Sequence, residues 1–242
     1  MKTAIVTGST KGIGRAIAEK LLESECKVIF NYSSDDQEAL HLRNELALKY
    51  DSTRLSIIKA DLSSIENVEA FCQAATQFSS SIDYLILNTG ITDRTEFGNV
   101  KYADWQRVMD TNLNIPFFLV QKLSPYLQMH GRIVFIGSIM GLWPHAISLS
   151  YGVSKAALHF LARSLVKEFA SRLITVNAVT PGFVDTTWQL AKNPEHKKRV
   201  ETKIALNRFA HPQEVAHLVM SVIQNDYING AIIPIDGGYC CS

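Results

Sequence analysis

Tyr151 and Lys155 stand four positions apart in Tyr151-Gly152-Val153-Ser154-Lys155. On a helix that spacing puts both side chains on one face. An ammonium beside a phenol favours the phenolate and lowers its pKa below the reference value of about 10. Such a tyrosine can pass a proton to a developing alkoxide near neutral pH. The pair alone carries little weight, because Tyr-x-x-x-Lys recurs on helix surfaces. Its weight comes from Ser138, just after the apolar run Ile133–Ile136. In an open parallel sheet, ligands bind at the carboxyl ends of strands. A hydroxyl there can donate a hydrogen bond to a substrate carbonyl. The same serine also reads as a turn cap in Gly137-Ser138.

A second cluster could hold an anion. Thr7-Gly8-Ser9-Thr10-Lys11-Gly12-Ile13-Gly14 follows a short apolar run and opens a helical pattern. A dinucleotide pyrophosphate needs a tight turn, close backbone approach and a helix N-terminus whose free N–H groups face it. Glycines meet the first two needs because they lack Cβ. The spacing is Gly-x-x-x-Gly-x-Gly rather than Gly-x-Gly-x-x-Gly. An ordinary strand-to-helix turn is the alternative reading. The next apolar run ends at Asn31-Tyr32, where an acid that holds the ribose of NAD would stand, and no acid is there. Asp35 and Asp36 come later, in Ser34-Asp35-Asp36-Gln37, which reads as a capping box headed by Ser34 with the acids in the first turn of the next helix. Lys11 could neutralise a 2′-phosphate or be a solvated loop lysine. A missing acid and a present base favour NADP.

These residues need a scaffold that brings strand ends together. The apolar runs are Ala4–Val6, Val28–Phe30, Leu55–Ile58, Leu85–Leu87, Ile133–Ile136, Ile174–Val179 and Ile232–Ile235. Short uninterrupted runs of this kind suit strands buried on both faces of a parallel sheet. Between the first two, Ile13, Ile17 and Leu21 make one apolar helical stripe. Further helices are expected at Asp36–Tyr50, Ile65–Phe78, Ala103–Gln128, Tyr151–Ala170 and Gln213–Ile223, the third of these bent or divided at Pro116. The alternation predicts a Rossmann-type, doubly wound parallel sheet of about seven strands with helices on both faces. No linker, repeat or low-complexity tract interrupts it, so residues 1–242 read as one domain.

Composition narrows the function. The 242 residues are 47% hydrophobic and 19% charged, with a net charge of +1. That suits one sizeable core and gives no electrostatic footprint for nucleic acid or an anionic membrane. No stretch approaches a membrane span. The N-terminal stretch lacks a hydrophobic signal region, so a cytoplasmic location is expected. Cys26, Cys72, Cys240 and Cys241 form no Cys-x-x-Cys pair, and they and the seven histidines share no metal spacing, so free thiols and no metal site are expected.

With these motifs on the page, the chain resembles the short-chain dehydrogenase/reductase family over essentially its whole length, with the motifs in family order. Besides the glycine-rich turn, Asp61-Leu62 matches the acidic pair beside the adenine, and Leu87-Asn88-Thr89-Gly90 corresponds to the family's Asn-Asn-Ala-Gly. Asn112 matches the catalytic asparagine, Ser138 the serine, and Tyr151 with Lys155 the tyrosine–lysine pair. Pro181-Gly182 with Val184 and Thr186 matches the segment beside the nicotinamide carboxamide, and Asp236-Gly237-Gly238 the C-terminal ending. Within the family the chain looks most like the 3-oxoacyl-acyl-carrier-protein reductases, through Asn31-Tyr32, His130-Gly131-Arg132-Ile133, Ala170-Ser171-Arg172 and Pro181-Gly182-Phe183. The resemblance implies an NADPH-dependent ketone reductase. Ser138 would bind the carbonyl, Tyr151 donate the proton, and Lys155 tune the tyrosine and hold the ribose. Asn112 would hold a water linking Lys155 to solvent.

Departures from the family pattern bear on the substrate. Leu87 and Thr89 replace an asparagine and an alanine, and Met129 stands where carrier-protein reductases often place a base, while Arg172 keeps the other basic position. A complete docking patch for an acidic acyl carrier is therefore not expected. Leu142-Trp143-Pro144-His145 follows Ser138 in place of small residues. Leu142, Trp143 and His145 are expected to wall the substrate pocket on one side, with Phe183 and Trp188 on the other. The tryptophans would favour a flat or unsaturated acyl group. The competing reading turns Trp143 into the core. Residues Asp185 to about Lys203 are expected to form a lid, broken at Asn193-Pro194. Excess apolar residues on the helices at Ala103–Gln128 and Tyr151–Ala170, with the family pattern, imply a homotetramer. Alternatives are a reductase of a polyketide-type acyl chain, a sugar or a cyclic alcohol and, in another class, a nucleotide-binding regulator without turnover.

Overall fold

The computed structural model describes residues 1–144, 148–186 and 194–241. Seven strands form one parallel sheet: β1 (Thr3–Val6), β2 (Lys27–Tyr32), β3 (Leu55–Lys59), β4 (Ile82–Leu87), β5 (Leu127–Ile136), β6 (Thr175–Pro181) and β7 (Ile232–Ile235). Their order is β3-β2-β1-β4-β5-β6-β7. The chain winds outward from β1 to β3 and then returns to β4, so the winding direction reverses between β1 and β4. Ala4 pairs with both Val28 and Tyr84, which fixes β1 as the central strand of that reversal. A ligand crevice belongs at the carboxyl ends of these two strands.

The inner strands bury both faces, and alternate residues serve different helices. Ala4, Val6, Val28 and Phe30 point to a layer formed by α1 (Gly12–Glu23), α2 (Asp36–Ala47) and α8 (Pro212–Gln224). Ile5, Ile29, Leu85 and Phe135 point the other way, to α3 (Glu66–Phe78), α5 (Ile115–Leu123) and α6 (Leu149–Leu165). Ile17 and Leu21 of the expected stripe are fully buried, and Ile13 packs at its edge. A smaller cluster of Phe183, Val200, Ile204 and Phe209 joins α7 (Pro194–Glu201) to the end of β6.

Several boundaries differ from the sequence reading: α2 stops at Ala47 rather than Tyr50, β6 runs to Pro181, and three further differences have clear causes. The expected helix Ala103–Gln128 is α4 (Tyr102–Met109), a wider π-helical turn at Asp110–Asn114, and α5. Pro116 sits in the first turn of α5, where a missing N–H costs nothing. The second difference is that residues from Leu127 onward belong to β5. Leu127 pairs with Ile82 and Arg132 with Tyr84, across a register shift that His130 accommodates with φ +60°. The strand signal there is hidden by polar residues that face solvent. Third, α6 ends at Leu165 rather than Ala170, and the chain turns back at Leu173 with φ +56°. Asp35, not Ser34, caps α2, accepting from the Glu38 N–H. The four cysteines are free thiols.

Candidate active site

The glycine-rich turn is locked from three directions before any ligand is considered. The Ser9 hydroxyl donates to the Val6 carbonyl at 2.7 Å and accepts from the Asn31 N–H at 3.0 Å. Asn31 accepts from the Gly8 N–H at 3.1 Å and donates to the Ala60 carbonyl at 3.0 Å. Asn88 donates to the carbonyls of Thr7 and Gly8, at 3.0 and 2.9 Å. The Thr7 hydroxyl accepts from the N–H groups of both Asn88 and Thr89. Gly8 and Gly12 have φ of +58° and +56°, which L side chains rarely adopt. A Cβ on Gly14 would lie 2.3 Å from the Gly8 carbonyl oxygen, so here glycine is required by packing.

Thus Ser9, Thr10, Gly14 and Asn31 are buried braces around the turn rather than surfaces open to a ligand. Asn31 still borders the crevice, while the Tyr32 hydroxyl turns away and donates to Asp36. The crevice, about 390 Å³, begins between Lys11, Gly12, Ile13 and Ser33. It continues past Asp61, Leu62, Asn88, Thr89 and Gly90, and ends at Ser138, Tyr151 and Lys155. Pro181, Gly182, Val184 and Thr186 close its other side. Sequence reasoning missed Ser33, Ala60, Ser63, Ile91 and Thr111 on its wall. Ser33 could have been found as the first residue past β2. The others carry no motif of their own.

The Lys11 ammonium is not free. It pairs with Asp35 at 2.5 Å, on the surface, and this contact raises the lysine pKa and lowers that of Asp35. Arg15, on the next turn, is spent on Glu19 and Glu45.

At the other end, β5 delivers Ser138 and α6 delivers Tyr151 and Lys155. Ser138 is 7% exposed and caps the short turn Ile139–Gly141, its hydroxyl accepting from the Met140 N–H. The hydroxyls of Ser138 and Tyr151 share a hydrogen bond. Lys155 is 3% exposed and donates to the Ile136 carbonyl at 2.8 Å. Burial without a carboxylate partner brings its pKa down to about 8. Its nitrogen lies 5.7 Å from the centre of the Tyr151 ring. The expected lowering of the tyrosine pKa is not what this geometry gives. Burial dominates and pushes Tyr151 up, with the Ser138 hydrogen bond opposing it. A tyrosine that keeps its proton until an oxyanion develops is suited to be an acid.

Asn112 is fully buried in the π-helical turn. It accepts from the Ile91 N–H at 2.8 Å and donates to the Ile91 carbonyl and to Ser154. It therefore ties the loop after β4 to α6, and π turns of this kind often sit at functional sites.

The expected substrate walls divide. Trp143 is 47% exposed and Leu142 38%, so Trp143 does not fill the core. Phe183 is 6% exposed, stacked on Phe209 and edge-on to Tyr239, and is not a pocket wall, because its apolar ring has a core of its own to fill. His145, Trp188 and the 187–193 part of the expected lid lie outside the described residues. Met129 is exposed. Arg172 donates to the Ser124 carbonyl at 2.7 Å and lies over the Phe169 ring.

The arrangement fits a nicotinamide dinucleotide. Left-handed glycines open a helix N-terminus to an anion, and the Thr89 hydroxyl on the crevice wall is buried with no partner among the described residues. Comparison with known proteins agrees. The family model described as Enoyl-(Acyl carrier protein) reductase matches residues 8–240.

The chain belongs to the short-chain dehydrogenase/reductase family, and is an oxidoreductase of it. It is 35% identical to 3-oxoacyl-[acyl-carrier-protein] reductase FabG of Aquifex aeolicus, over 98% of this chain and 96% of that one. A short-chain dehydrogenase/reductase from Serratia marcescens superposes with a TM-score of 0.92 at 28% identity, covering 98% of this chain and 97% of that one. The Pseudomonas aeruginosa RhlG/NADP active-site complex gives a TM-score of 0.89 at 31% identity, covering 98% and 96%. No helix among the described residues is long and apolar enough to cross a membrane, and they hold no cluster that could bind a metal ion.

The buried ammonium generates a prediction. Its folded pKa of about 8 lies below the unfolded value near 10.5. Between those values the unfolded chain binds the extra proton, so stability rises with pH through that window, and below about pH 8 the full cost of burying the charge is present. Lys155→Met should therefore be neutral to about 3 kcal/mol more stable at pH 7 while turnover is lost. Denaturant melts at pH 7 and pH 10 check this, the gain shrinking at the higher pH.

Proposed function

We propose that the chain is an NADPH-dependent ketone reductase that converts a 3-oxoacyl thioester to its 3-hydroxyacyl form. The observation that carries this is the convergence of Ser138, Tyr151 and Lys155 on one end of a crevice whose other end is the glycine-rich turn. When bound, the reduced nicotinamide supplies the hydride. The Ser138 hydroxyl donates a hydrogen bond to the ketone oxygen. Tyr151, kept protonated by burial, gives its proton to that oxygen as charge develops. Lys155 uses one N–H on Ile136 and offers the others to the cofactor ribose and to a water. A Cβ on Gly90 would lie 3.3 Å from Asn112 Oδ1 and 3.4 Å from Lys155 Nζ. The glycine thus leaves the space in which a water bridges the two, and through it Tyr151 is reprotonated. Gly8, Gly12 and Ile13 would hold the pyrophosphate, Asp61 and Leu62 the adenine, Asn88, Thr89 and Gly90 the ribose, and Pro181, Gly182, Val184 and Thr186 the carboxamide.

Preference for NADPH rests on Lys11 and the Ser33 hydroxyl at the crevice mouth, and on the lack of an acid at Asn31-Tyr32. Asp35 holds Lys11 in place, and a 2′-phosphate takes over that partner.

The committed Arg172 and the exposed Met129 favour a second reading for the substrate. With Met129 offering no charge and the half-buried Arg172 spending part of its guanidinium on the Ser124 carbonyl, a free or differently carried acyl group replaces an acyl carrier protein as partner in this reading. Trp143 and Leu142, half-exposed beside the turn after Ser138, wall that group. A regulator without turnover is disfavoured because Tyr151 and Lys155 are both present and placed. We further read residues 1–242 as one catalytic domain of a cytoplasmic homotetramer. Val153 and Phe160 are 47% and 73% exposed on the outward side of α6, and with the half-buried Phe117 and Leu161 they offer an apolar face to a second copy.

NADPH should support reduction of a 3-oxoacyl ester far better than NADH, and Lys11→Ala should raise KM for NADPH more than for NADH. Steady-state rates with both cofactors check this, and equal use by the parent defeats it. Tyr151→Phe should cut kcat by at least about a hundredfold with NADPH binding retained, measured by turnover beside cofactor fluorescence. Light scattering at micromolar concentration should report a tetramer, and a monomer contradicts that assembly.

A further inference from the structure

A third ionisable side chain stands in register with Tyr151 and Lys155 on α6. His159 lies one further turn along the same face and is 5% exposed. The proton path through Tyr151 and Lys155 makes no use of it. Its ring meets the segment that carries Ser138. Nε2 accepts from the Ser138 N–H at 3.4 Å, a long bond in a dry place. A Cβ on Gly137 would lie 2.2 Å from that Nε2, and a Cβ on Gly141 would lie 2.7 Å from the ring Cε1. Neither glycine has a positive φ, so close packing, not backbone conformation, excludes a side chain there. The ring fills the room that the glycines on either side of Ser138 leave.

We propose that His159 is a positioning residue, a wedge between Gly137 and Gly141 whose Nε2 accepts the Ser138 N–H and so sets the serine hydroxyl against Tyr151. This rests on the catalytic reading of Ser138 given above. The role requires a neutral ring with its proton on Nδ1, since an imidazolium has no lone pair to accept with. The surroundings enforce neutrality. Burial, then the charges of Lys155 and Arg163 on the same helix, bring the His159 pKa down to about 4. The groups facing it from other elements are uncharged: the backbone of Ser138 and Gly141, with the Thr180 side chain behind Gly137. Nδ1 has no full hydrogen-bond partner among the described residues, only the nearby Gly141 backbone. A histidine kept for space alone has a cheaper substitute in leucine, which leaves no polar atom unpaired.

His159→Leu and His159→Gln separate the roles, because glutamine can place an acceptor near the position of Nε2 and leucine cannot. With both variants shown by melting to be folded, His159→Leu should lower kcat about tenfold and leave NADPH affinity unchanged, and His159→Gln should recover most of the loss. A leucine variant that turns over like the parent, or a glutamine variant as slow as leucine, overturns the proposal. NMR of the ring nitrogens in the parent protein tests it independently of turnover and of variant folding. Nε2 should be unprotonated from about pH 6 to 8, and an Nε2–H tautomer overturns the proposal. A parent that reduces no ketone fails the reductase reading, while the ring tautomer still decides this one.

Discussion

A lysine ammonium held almost out of water is the constraint on which the rest of the site depends. Lys155 donates to the Ile136 carbonyl at the very end of β5, with no carboxylate among the described residues to share its charge. That contact requires α6 to lie directly against the strand end. The approach is so close that a Cβ on Gly141 would fall 2.6 Å from the Ala156 nitrogen. Glycine at 90 and 141 is therefore a consequence of where the lysine and its helix sit, not a feature of the turns as such, while glycine at 137 makes room for the His159 ring. The large buried clusters on both sheet faces offset the cost of the dry charge.

The opposite end of the crevice is organised by neutral hydrogen bonds instead. Asn31 and Asn88, from β2 and from just past β4, satisfy backbone groups of the glycine turn that would otherwise face the interior unpaired. Around the turn itself, charge among the described residues is paired at the mouth, where Lys11 and Asp35 meet in the open. An exposed pair of this kind is worth little to stability and exchanges partners readily. The rigid part of the site is polar and uncharged, and the exchangeable part is charged and wet. That division suits a crevice that must bind and release a charged dinucleotide while keeping its shape.

Between the two ends, the reacting groups come from elements that are remote in sequence. Ser138 follows a strand, Tyr151 opens a helix, and Asn112 ties the loop after β4 to that helix through Ile91 and Ser154. The π-helical turn at Asp110–Asn114 swings Asn112 inward without breaking the run of helix from α4 to α5.

The sequence by itself determined the order of the elements, the parallel sheet and the glycines of the first turn. Those depend on local rules: uninterrupted apolar runs, helical spacing, and glycine where φ is positive. Element ends were less legible. Gln128 and His130 near the start of β5 look polar because they face solvent, and the apolar pattern of α6 runs on past its end through Val166 to the buried Phe169. Only the tertiary structure decided what each side chain does once buried. It turned Asn31 into a brace, sent Phe183 into a cluster with Phe209 and Tyr239, left Trp143 half in solvent, and tied Arg172 to a backbone carbonyl. It also reversed the expected shift of Tyr151 and placed His159 against Ser138. The physical reason is common to these. Desolvation and hydrogen-bond satisfaction are set by neighbours tens of residues away, and no spacing rule within one segment contains them.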